Sequence, residues 1–468
     1  MAIETAVAVL GGGPGGYAAA FASADLGLRV TLIDDAPNPG GVCLYRGCIP
    51  SKTLLHVARL VREADEAKAF GVAFGAPAID LPGLRRHKDA VVQKLTGGLG
   101  QLAGQRKIAY LQGKGRFAGQ HSLEVTLQDG SMQEVRFEHA IIATGSLPRT
   151  LDVLQGFEGL VWDSTAALEL REAPRRLLVV GGGYIGVELA SVYLALGSEV
   201  TLVEVTGGLL PGADPELVRP LTQRLKGRAR LLFDTSVVSL AKEGDGLRAT
   251  LKGKDGAEEV LSCDRLLASV GRAPQTGGIG LDALGIAPGP GGFLQVDAQR
   301  RTALPHIYAI GDVAGQPMLA HKASHEGRVA AGAIAGRASA FDPAAIPAVV
   351  FTDPEIAWTG LSEAEAKERG IDVQVGRFPW GASGRAASVG RSDGLTKVIA
   401  ERASGRVLGV GITGPGAGEL IAEGTLAIEL GAVAEDLART IHPHPTLSET
   451  VMEAAEGILG HATHYYGR

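Results

Sequence analysis

Apolar runs in this chain are short, and many stop at glycine. Thr5–Leu10 is one such run, closed by Gly11-Gly12-Gly13-Pro14-Gly15-Gly16. An alanine-rich stretch follows to Leu26, and Arg29–Ile33 forms a second run that ends at Asp34. The pattern predicts strand, tight turn, helix and strand, since a short continuous apolar run suits a strand covered on both faces. The same series recurs 170 residues later: Arg176–Val180, Gly181-Gly182-Gly183-Tyr184-Ile185-Gly186, a helix to Leu196, then Glu199–Val203 and Glu204. Between the copies, residues 80–140 mix charged helical sequence with alternating strands and close at Ile141-Ile142-Ala143-Thr144-Gly145. Leu266–Val270 before Gly271-Arg272-Ala273-Pro274 is a similar ending, and Ile307–Ile310 delivers Gly311-Asp312. Residues 336–348 read as an Ala/Pro linker, after which strands alternate with Glu/Lys-rich helices.

Each copy has the order expected of a dinucleotide-binding unit. Gly11 allows the tight turn, Gly13 lets a pyrophosphate approach the backbone, and Gly16 lets helix pack on strand. The helix N-terminus then faces the phosphates, and Asp34 is placed to accept from a ribose hydroxyl. Gly181, Gly183, Gly186 and Glu204 repeat these positions, and two units imply two dinucleotides. Val205, Thr206 and Gly207 follow Glu204, so no arginine meets a 2′-phosphate and NAD is favoured over NADP.

Two of the three cysteines, Cys43 and Cys48, lie in Gly41-Val42-Cys43-Leu44-Tyr45-Arg46-Gly47-Cys48-Ile49-Pro50-Ser51-Lys52. Residues five apart diverge on a regular helix, so a disulfide here needs a distorted turn, which Gly47 could supply. Lys52, four residues after Cys48, shares its helical face and could lower its pKa. Two buried structural cysteines or half of a zinc site are the alternatives, although zinc favours shorter spacings and no further ligand lies nearby. Near the other end, Ile441-His442-Pro443-His444-Pro445-Thr446-Leu447-Ser448-Glu449 restricts His444 between prolines, and Glu449 could orient its ring; an idle surface loop is the alternative. Cys263 and the three tryptophans are expected to pack, and His321 and His325 either line a pocket or sit on a helix surface.

At 468 residues the chain suggests about three domains. Glycine, 67 residues, is about double the usual share, which fits many backbone–ligand contacts. A net charge of −6 without a basic stripe argues against nucleic acid, and no apolar run is long enough to span a membrane. The first residues lack a basic leader pattern, so the expected location is cytoplasmic, where a cysteine pair is more often catalytic than structural.

Taken together, the cysteine stretch, the two glycine fingerprints, Ala143-Thr144-Gly145, Tyr308-Ala309-Ile310-Gly311-Asp312, Met318-Leu319-Ala320-His321-Lys322-Ala323 and His444–Glu449 resemble the pyridine nucleotide–disulfide oxidoreductases over essentially the whole chain. The resemblance implies an α/β fold: an FAD-binding domain (1–150, completed by 275–345), an NAD-binding domain (151–274), both Rossmann-like, and a C-terminal α+β dimerisation domain (346–468). It places Gly115, Thr144, Gly145, Asp312, Leu319 and Ala320 with the first fingerprint and Lys52 around FAD, and Gly271 with the second around NAD. It makes Cys43 and Cys48 a redox disulfide, with Cys43 the outer sulfur. It pairs Lys52 with Glu188 beside the flavin, and makes His444, held by Glu449, the base in the other subunit of a homodimer. The implied activity is NAD-dependent oxidation of dihydrolipoamide, in partnership with a lipoyl-bearing 2-oxo acid dehydrogenase complex.

Three departures stand out: Asp34 for the usual Glu, Tyr45-Arg46 for Asn-Val, and Pro443 for Ala. A glutathione reductase is the nearest rival and would favour NADP. A mercuric reductase would end in a cysteine pair, whereas this chain ends Ala462–Arg468. A flavin-bearing docking subunit is the rival from another class.

Overall fold

The computed structural model describes residues 2–466; Met1, Gly467 and Arg468, which the reading of the two ends took in, lie outside. Its first sheet has a parallel part in which Ile3–Leu10 lies between Val30–Asp34 and Met132–Ile142. Ala109–Gly119 pairs in parallel with Val30–Asp34 through residues 109–112, then turns away to form an antiparallel meander with Ser122–Leu127 and the start of Met132–Ile142. Gly113 sits where the strand changes partners, and a Cβ there would come within 2.5 Å of the Thr126 carbonyl oxygen. The last parallel strand, Ile307–Ala309, joins beside Met132–Ile142 from 165 residues further along the chain. Val7, Ala8 and Val9 are fully buried, as strands covered by helices on both faces require.

The second unit repeats this plan beyond its fingerprint. Arg176–Val180 lies between Glu199–Val203 and Arg265–Ala268, with Arg230–Leu232 and Val161–Trp162 as the outer parallel strands. A three-stranded antiparallel meander, 235–263, again precedes the strand that returns beside the first. Two short antiparallel strands, Ser146–Pro148 and Arg272–Pro274, tie the chain between the units. The C-terminal region is a five-stranded antiparallel sheet, ordered 348–350, 356–360, 407–413, 395–401, 373–379. Helices Ala417–Glu429 and Glu449–Leu459 pack on it through Ile421, Ala427, Val451 and Ala454.

Cys263 is buried at the end of its strand, and Trp162 and Trp380 are buried in two of the cores. The segment 336–347 has no regular structure before Ala348–Val350 begins. Among the described residues no helix is long and apolar enough to cross a membrane.

Candidate active site

Both fingerprint turns sit at the C-terminal ends of parallel strands, where α/β sheets bind ligands. Gly11 and Gly181 each have φ +106°, a conformation that favours glycine. A Cβ on Gly16 would stand 1.8 Å from the Gly11 carbonyl oxygen, and one on Gly186 would stand 2.0 Å from that of Gly181. Gly13 and Gly183 are the extended residues before helices Pro14–Asp25 and Tyr184–Ala195, and neither helix has a side-chain cap. A Cβ on Gly183 would meet nothing within 4 Å, and one on Gly13 would meet only Gly41 Cα, at 4.0 Å. Each helix therefore ends in bare N–H groups behind an open glycine. That is a cradle a pyrophosphate can enter, so these residues fit dinucleotides.

Asp34 accepts from Gly12 N at 2.5 Å and from Ala36 N at 3.0 Å. Burial pushes its carboxyl above the usual range, although both N–H groups oppose the shift. Glu204 accepts from Gly182 N at 2.6 Å, and from Thr206 N and Oγ1 at 2.8 and 2.9 Å. Asp312, beyond Ile307–Ala309, accepts from Ser146 Oγ at 2.5 Å. Ser146 in turn accepts from Arg272 Nε at 2.7 Å. Thr144 Oγ1 donates to the Gln275 carbonyl at 2.7 Å, and Gly145 (φ +75°) and Gly271 (φ +108°) turn the chain at the connecting strands. Leu319 and Ala320 begin the helix Ala320–Ile334, which crosses Pro14–Asp25 closely enough that Ser324 Oγ donates to the Pro14 carbonyl at 3.1 Å. Gly115 is placed differently: a Cβ on it would press on Leu10 and Ile33, so packing at the strand ends already calls for glycine there.

Around the cysteines the helix breaks. Gly41–Arg46 and Cys48–Glu66 are separate helices joined at Gly47, whose φ −144° and ψ −111° are not helical. A Cβ on Gly47 would lie 2.9 Å from the Val42 carbonyl oxygen and 3.3 Å from Cys43 Cα, so the break brings the two cysteine-bearing turns together. Both cysteines are free thiols here. The neighbouring Cys48 thiol, with burial, pushes Cys43 up. The neighbouring Cys43 thiol lowers Cys48 to about 7, and the Lys52 ammonium assists.

Lys52 Nζ contacts both oxygens of Glu188, at 2.8 and 3.1 Å, so the cysteine helix is tied to the helix of the second fingerprint. Two groups that sequence reasoning missed complete the arrangement. Phe351, just past Ala348–Val350, donates its N–H to Glu188 Oε1 at 3.0 Å and sets its ring 4.6 Å from Lys52 Nζ. Tyr184, an exposed aromatic inside the second fingerprint, lies within electrostatic reach of Arg272, Asp312, Glu188 and Cys48. An aromatic in a glycine turn was a readable signal; nothing local pointed to Phe351.

The arrangement thus combines two phosphate cradles with a dithiol whose sulfurs differ in acidity and a cation beside the more acidic one. Family models match on both counts: pyridine nucleotide-disulphide oxidoreductase over residues 5–327, and the dimerisation domain of that family over 346–455. The chain belongs to the pyridine nucleotide-disulphide oxidoreductase family. It is an FAD-dependent oxidoreductase that uses a nicotinamide nucleotide, as the resemblance implied. It is 46% identical over 461 residues to the dihydrolipoyl dehydrogenase of Haemophilus influenzae, covering 98% of this chain and 96% of that one. The dihydrolipoyl dehydrogenase of Halobacterium salinarum is 45% identical over 467 residues, 99% of this chain and 98% of the other. Among solved structures, LpdA from Mycobacterium tuberculosis superposes with a TM-score of 0.90 at 29% identity, covering 97% and 99% of the chains. The flavoprotein disulfide reductase RclA from Escherichia coli, solved as a Cu(II) complex, superposes with a TM-score of 0.86 at 27% identity over the same shares.

His444 lies on the loop before the helix Glu449–Leu459. Among the described residues its hydrogen bond is to Glu449, Nδ1 to Oε1 at 2.9 Å, and its side chain is 74% exposed. Burial pushes the Glu449 carboxyl up, but the Thr446 N–H and His444 outweigh it and hold it below the usual carboxylate range. A carboxylate only accepts, so Nδ1 donates this hydrogen bond. His321 Nε2 contacts the Pro347 carbonyl at 2.7 Å, and His325 packs edge-on to Phe341.

Proposed function

We propose that this chain is a dihydrolipoyl dehydrogenase that oxidises a protein-bound dihydrolipoyl group with NAD as final acceptor. The observation that carries this reading is the cysteine pair brought together by the helix break at Gly47, with Lys52 held by Glu188 on the helix that Cys48 begins. In the oxidised enzyme the two sulfurs form a disulfide. His444 Nε2 removes the proton from one dihydrolipoyl thiol, and the thiolate attacks Cys43 Sγ, breaking the Cys43–Cys48 bond. Cys48 is the better leaving group because the Lys52 ammonium stabilises its thiolate. The second lipoyl sulfur then attacks the lipoyl sulfur bound to Cys43, closing the lipoamide disulfide and breaking the bond to Cys43, which leaves with the second thiol's proton; Cys43 and Cys48 together now hold the electron pair. When bound, FAD supplies the two-electron chemistry between this dithiol and the nicotinamide, which no side chain can perform.

FAD fits the first unit, where Gly11, Gly13, Gly16 and Asp34 would hold its adenosine diphosphate part and Asp312 its ribityl chain. NAD fits the second, where Glu204 would accept from the 2′-hydroxyl and repel a 2′-phosphate. Phe351 and Glu188 hold Lys52 in place. A homodimer would bring the partner's loop to each cysteine pair. Ile441, 94% exposed, and Leu430, 75% exposed, are apolar side chains of the domain carrying His444 that a second copy could cover. The substrate's carrier is then a lipoyl domain of a 2-oxo acid dehydrogenase complex.

The test is His444→Gln, which should lower dihydrolipoamide oxidation by about 10²–10⁴-fold, the usual contribution of a general base. Co-expression with Cys43→Ser, each variant tagged, should yield a heterodimer with about half the activity, since one site collects both lesions and the other neither. A heterodimer as inactive as its parents would sink the shared site, and full activity of His444→Gln would sink the base.

A further inference from the structure

The loop that carries His444 holds a second histidine in a different setting. His442, whose side chain is 5% exposed, directs Nδ1 at the Thr440 carbonyl oxygen, 2.8 Å away, and Nε2 at Glu423 Oε1, 2.7 Å away. Both partners are acceptors. A neutral imidazole has one N–H, so one of these contacts would set two lone pairs against each other in a buried space. Both contacts are satisfied only by the cation. Two residues on, the ring of His444 is exposed and meets one acceptor, Glu449, at Nδ1.

We propose that His442 is a positioning residue for the thiol chemistry: a buried imidazolium that clamps the His444 loop to the helix Ala417–Glu429 through Glu423. This rests on the reading of His444 as the base. The loop Thr440–Ser448 has no strand or helix of its own, so its shape depends on such clamps. Thr446 secures the far end, donating its N–H to Glu449 Oε2 at 2.7 Å and its hydroxyl to the Pro443 carbonyl at 2.8 Å. His442 secures the near end. The charged groups facing it are Glu423 from Ala417–Glu429 and Glu449 from Glu449–Leu459. The Glu423 hydrogen bond raises the His442 pKa against the opposing pull of burial, and Glu449 adds to the rise. A group raised on folding stabilises the fold fully below its unfolded value, about 6.5, and loses that contribution as pH climbs through the raised value. The clamp is therefore closed below that raised value and opens as pH climbs through it.

The experiment uses the full-length flavin-loaded enzyme. ¹⁵N-histidine NMR of the unmutated protein at neutral pH should show His442 with both ring nitrogens protonated and His444 with one. A neutral His442 ring would overturn the proposal whatever the activity shows. Activity is read per bound flavin. His442→Gln should lower kcat/KM for dihydrolipoamide by on the order of 10-fold to 10²-fold, the range expected when a base is misplaced rather than removed. Glu423→Gln, which keeps an acceptor but loses the charge, should move the alkaline fall in kcat/KM to lower pH. The double variant should be no worse than His442→Gln alone. A pH profile unmoved by Glu423→Gln would overturn the clamp, as would additive losses. If the unmutated enzyme failed to oxidise dihydrolipoamide, the functional reading would fall while the NMR result still decided the state of His442.

Discussion

After Asp34 the chain of the first unit turns back over its own glycines. Gly40 N donates to the Gly12 carbonyl at 2.8 Å, and Gly41 (φ +56°) lies so close that a Cβ on it would be 2.5 Å from Gly13 Cα. In the second unit Leu210 N makes the matching bond to the Gly182 carbonyl at 2.9 Å, but the chain then continues through Pro211 and Gly212, and among the described residues a Cβ on Gly183 would meet nothing within 4 Å. The same glycine turn is thus flanked by the start of the cysteine-bearing helix in one copy and has no such neighbour in the other. On the proposed reading this separates a resident cofactor from one that exchanges at every turnover. It also explains why the cysteine stretch follows the first acid and not the second: the element that flanks the cradle is the one that carries the sulfurs.

Disturbing this contact should give the largest effect. Gly41→Ala adds a left-handed residue, costing about 1 kcal/mol, and a clash with backbone that has no room to move. Such a substitution typically reaches ~3 kcal/mol, so FAD affinity should fall by on the order of 10²-fold and the purified protein should lose its yellow colour. Gly183→Ala, by contrast, should keep its flavin and raise KM for NAD, because its methyl enters the open cradle. Absorbance per chain and NAD saturation curves decide. Equal flavin loss in both variants would remove the distinction between the units.

How much of this was readable depended on whether a feature was local. The spacing Gly11, Gly13, Gly16, Asp34 and its copy 170 residues on located both turns, because tight turns and close backbone approach restrict residue type position by position. The wider repeat was not readable. Residues 109–142 and 235–268 build the same meander and returning strand, but neighbouring strands were set by pairing across the chain, where many apolar sequences serve. The break at Gly47 was foreshadowed by the awkward cysteine spacing. Lys52–Glu188 came from family resemblance alone, since 136 residues separate the partners. Phe351, Ser146 and Arg272 had no local signal: a backbone N–H, a hydroxyl and one arginine among many become part of the site only through the fold. Gly115 is a different lesson, since packing against Leu10 and Ile33 accounts for a glycine that resemblance assigned to the flavin.

A medium-sized effect should come from Glu204, the acid of the open unit. Glu204→Gln keeps an oxygen for Gly182 N but removes the charge that favours a 2′-hydroxyl over a 2′-phosphate. Hydrogen bonds to charged groups contribute about 1.5–3 kcal/mol, so NAD kcat/KM should fall by roughly 10-fold or more while the gap to NADP narrows. Steady-state rates with both nucleotides measure it. Comparable kcat/KM for NAD and NADP in the unmutated enzyme would contradict the role given to this carboxylate.

The smallest effect concerns Asp34, the acid one methylene shorter than its counterpart. If shortness weakened the first unit, Asp34→Glu would tighten FAD binding. The geometry argues otherwise. Asp34 makes both backbone contacts that Glu204 makes, to the second glycine and to the residue two beyond the acid. A Cβ on Gly12 would sit 3.0 Å from Asp34 Cγ, against 3.2 Å for Gly182 and Glu204 Cγ, so the acid-bearing strand end lies slightly nearer the turn in the first unit. Nor can the following loop retreat: Tyr110 Oη donates to the Ala36 carbonyl at 2.8 Å, and Tyr45 Oη to that of Asn38 at 3.0 Å. Tyr45, a departure from the family pattern inside the cysteine stretch, therefore fixes the loop that the shorter acid needs. An added methylene in a fitted site costs about 1 kcal/mol at the low end, so Asp34→Glu should weaken FAD binding about fivefold. Removing the Tyr45 hydroxyl should relieve the crowding, so Tyr45→Phe with Asp34→Glu should bind FAD better than Asp34→Glu alone. Fluorescence titration of apo-protein with FAD resolves both steps. A tenfold gain from Asp34→Glu by itself would show that the shorter acid is a defect rather than a fitted alternative.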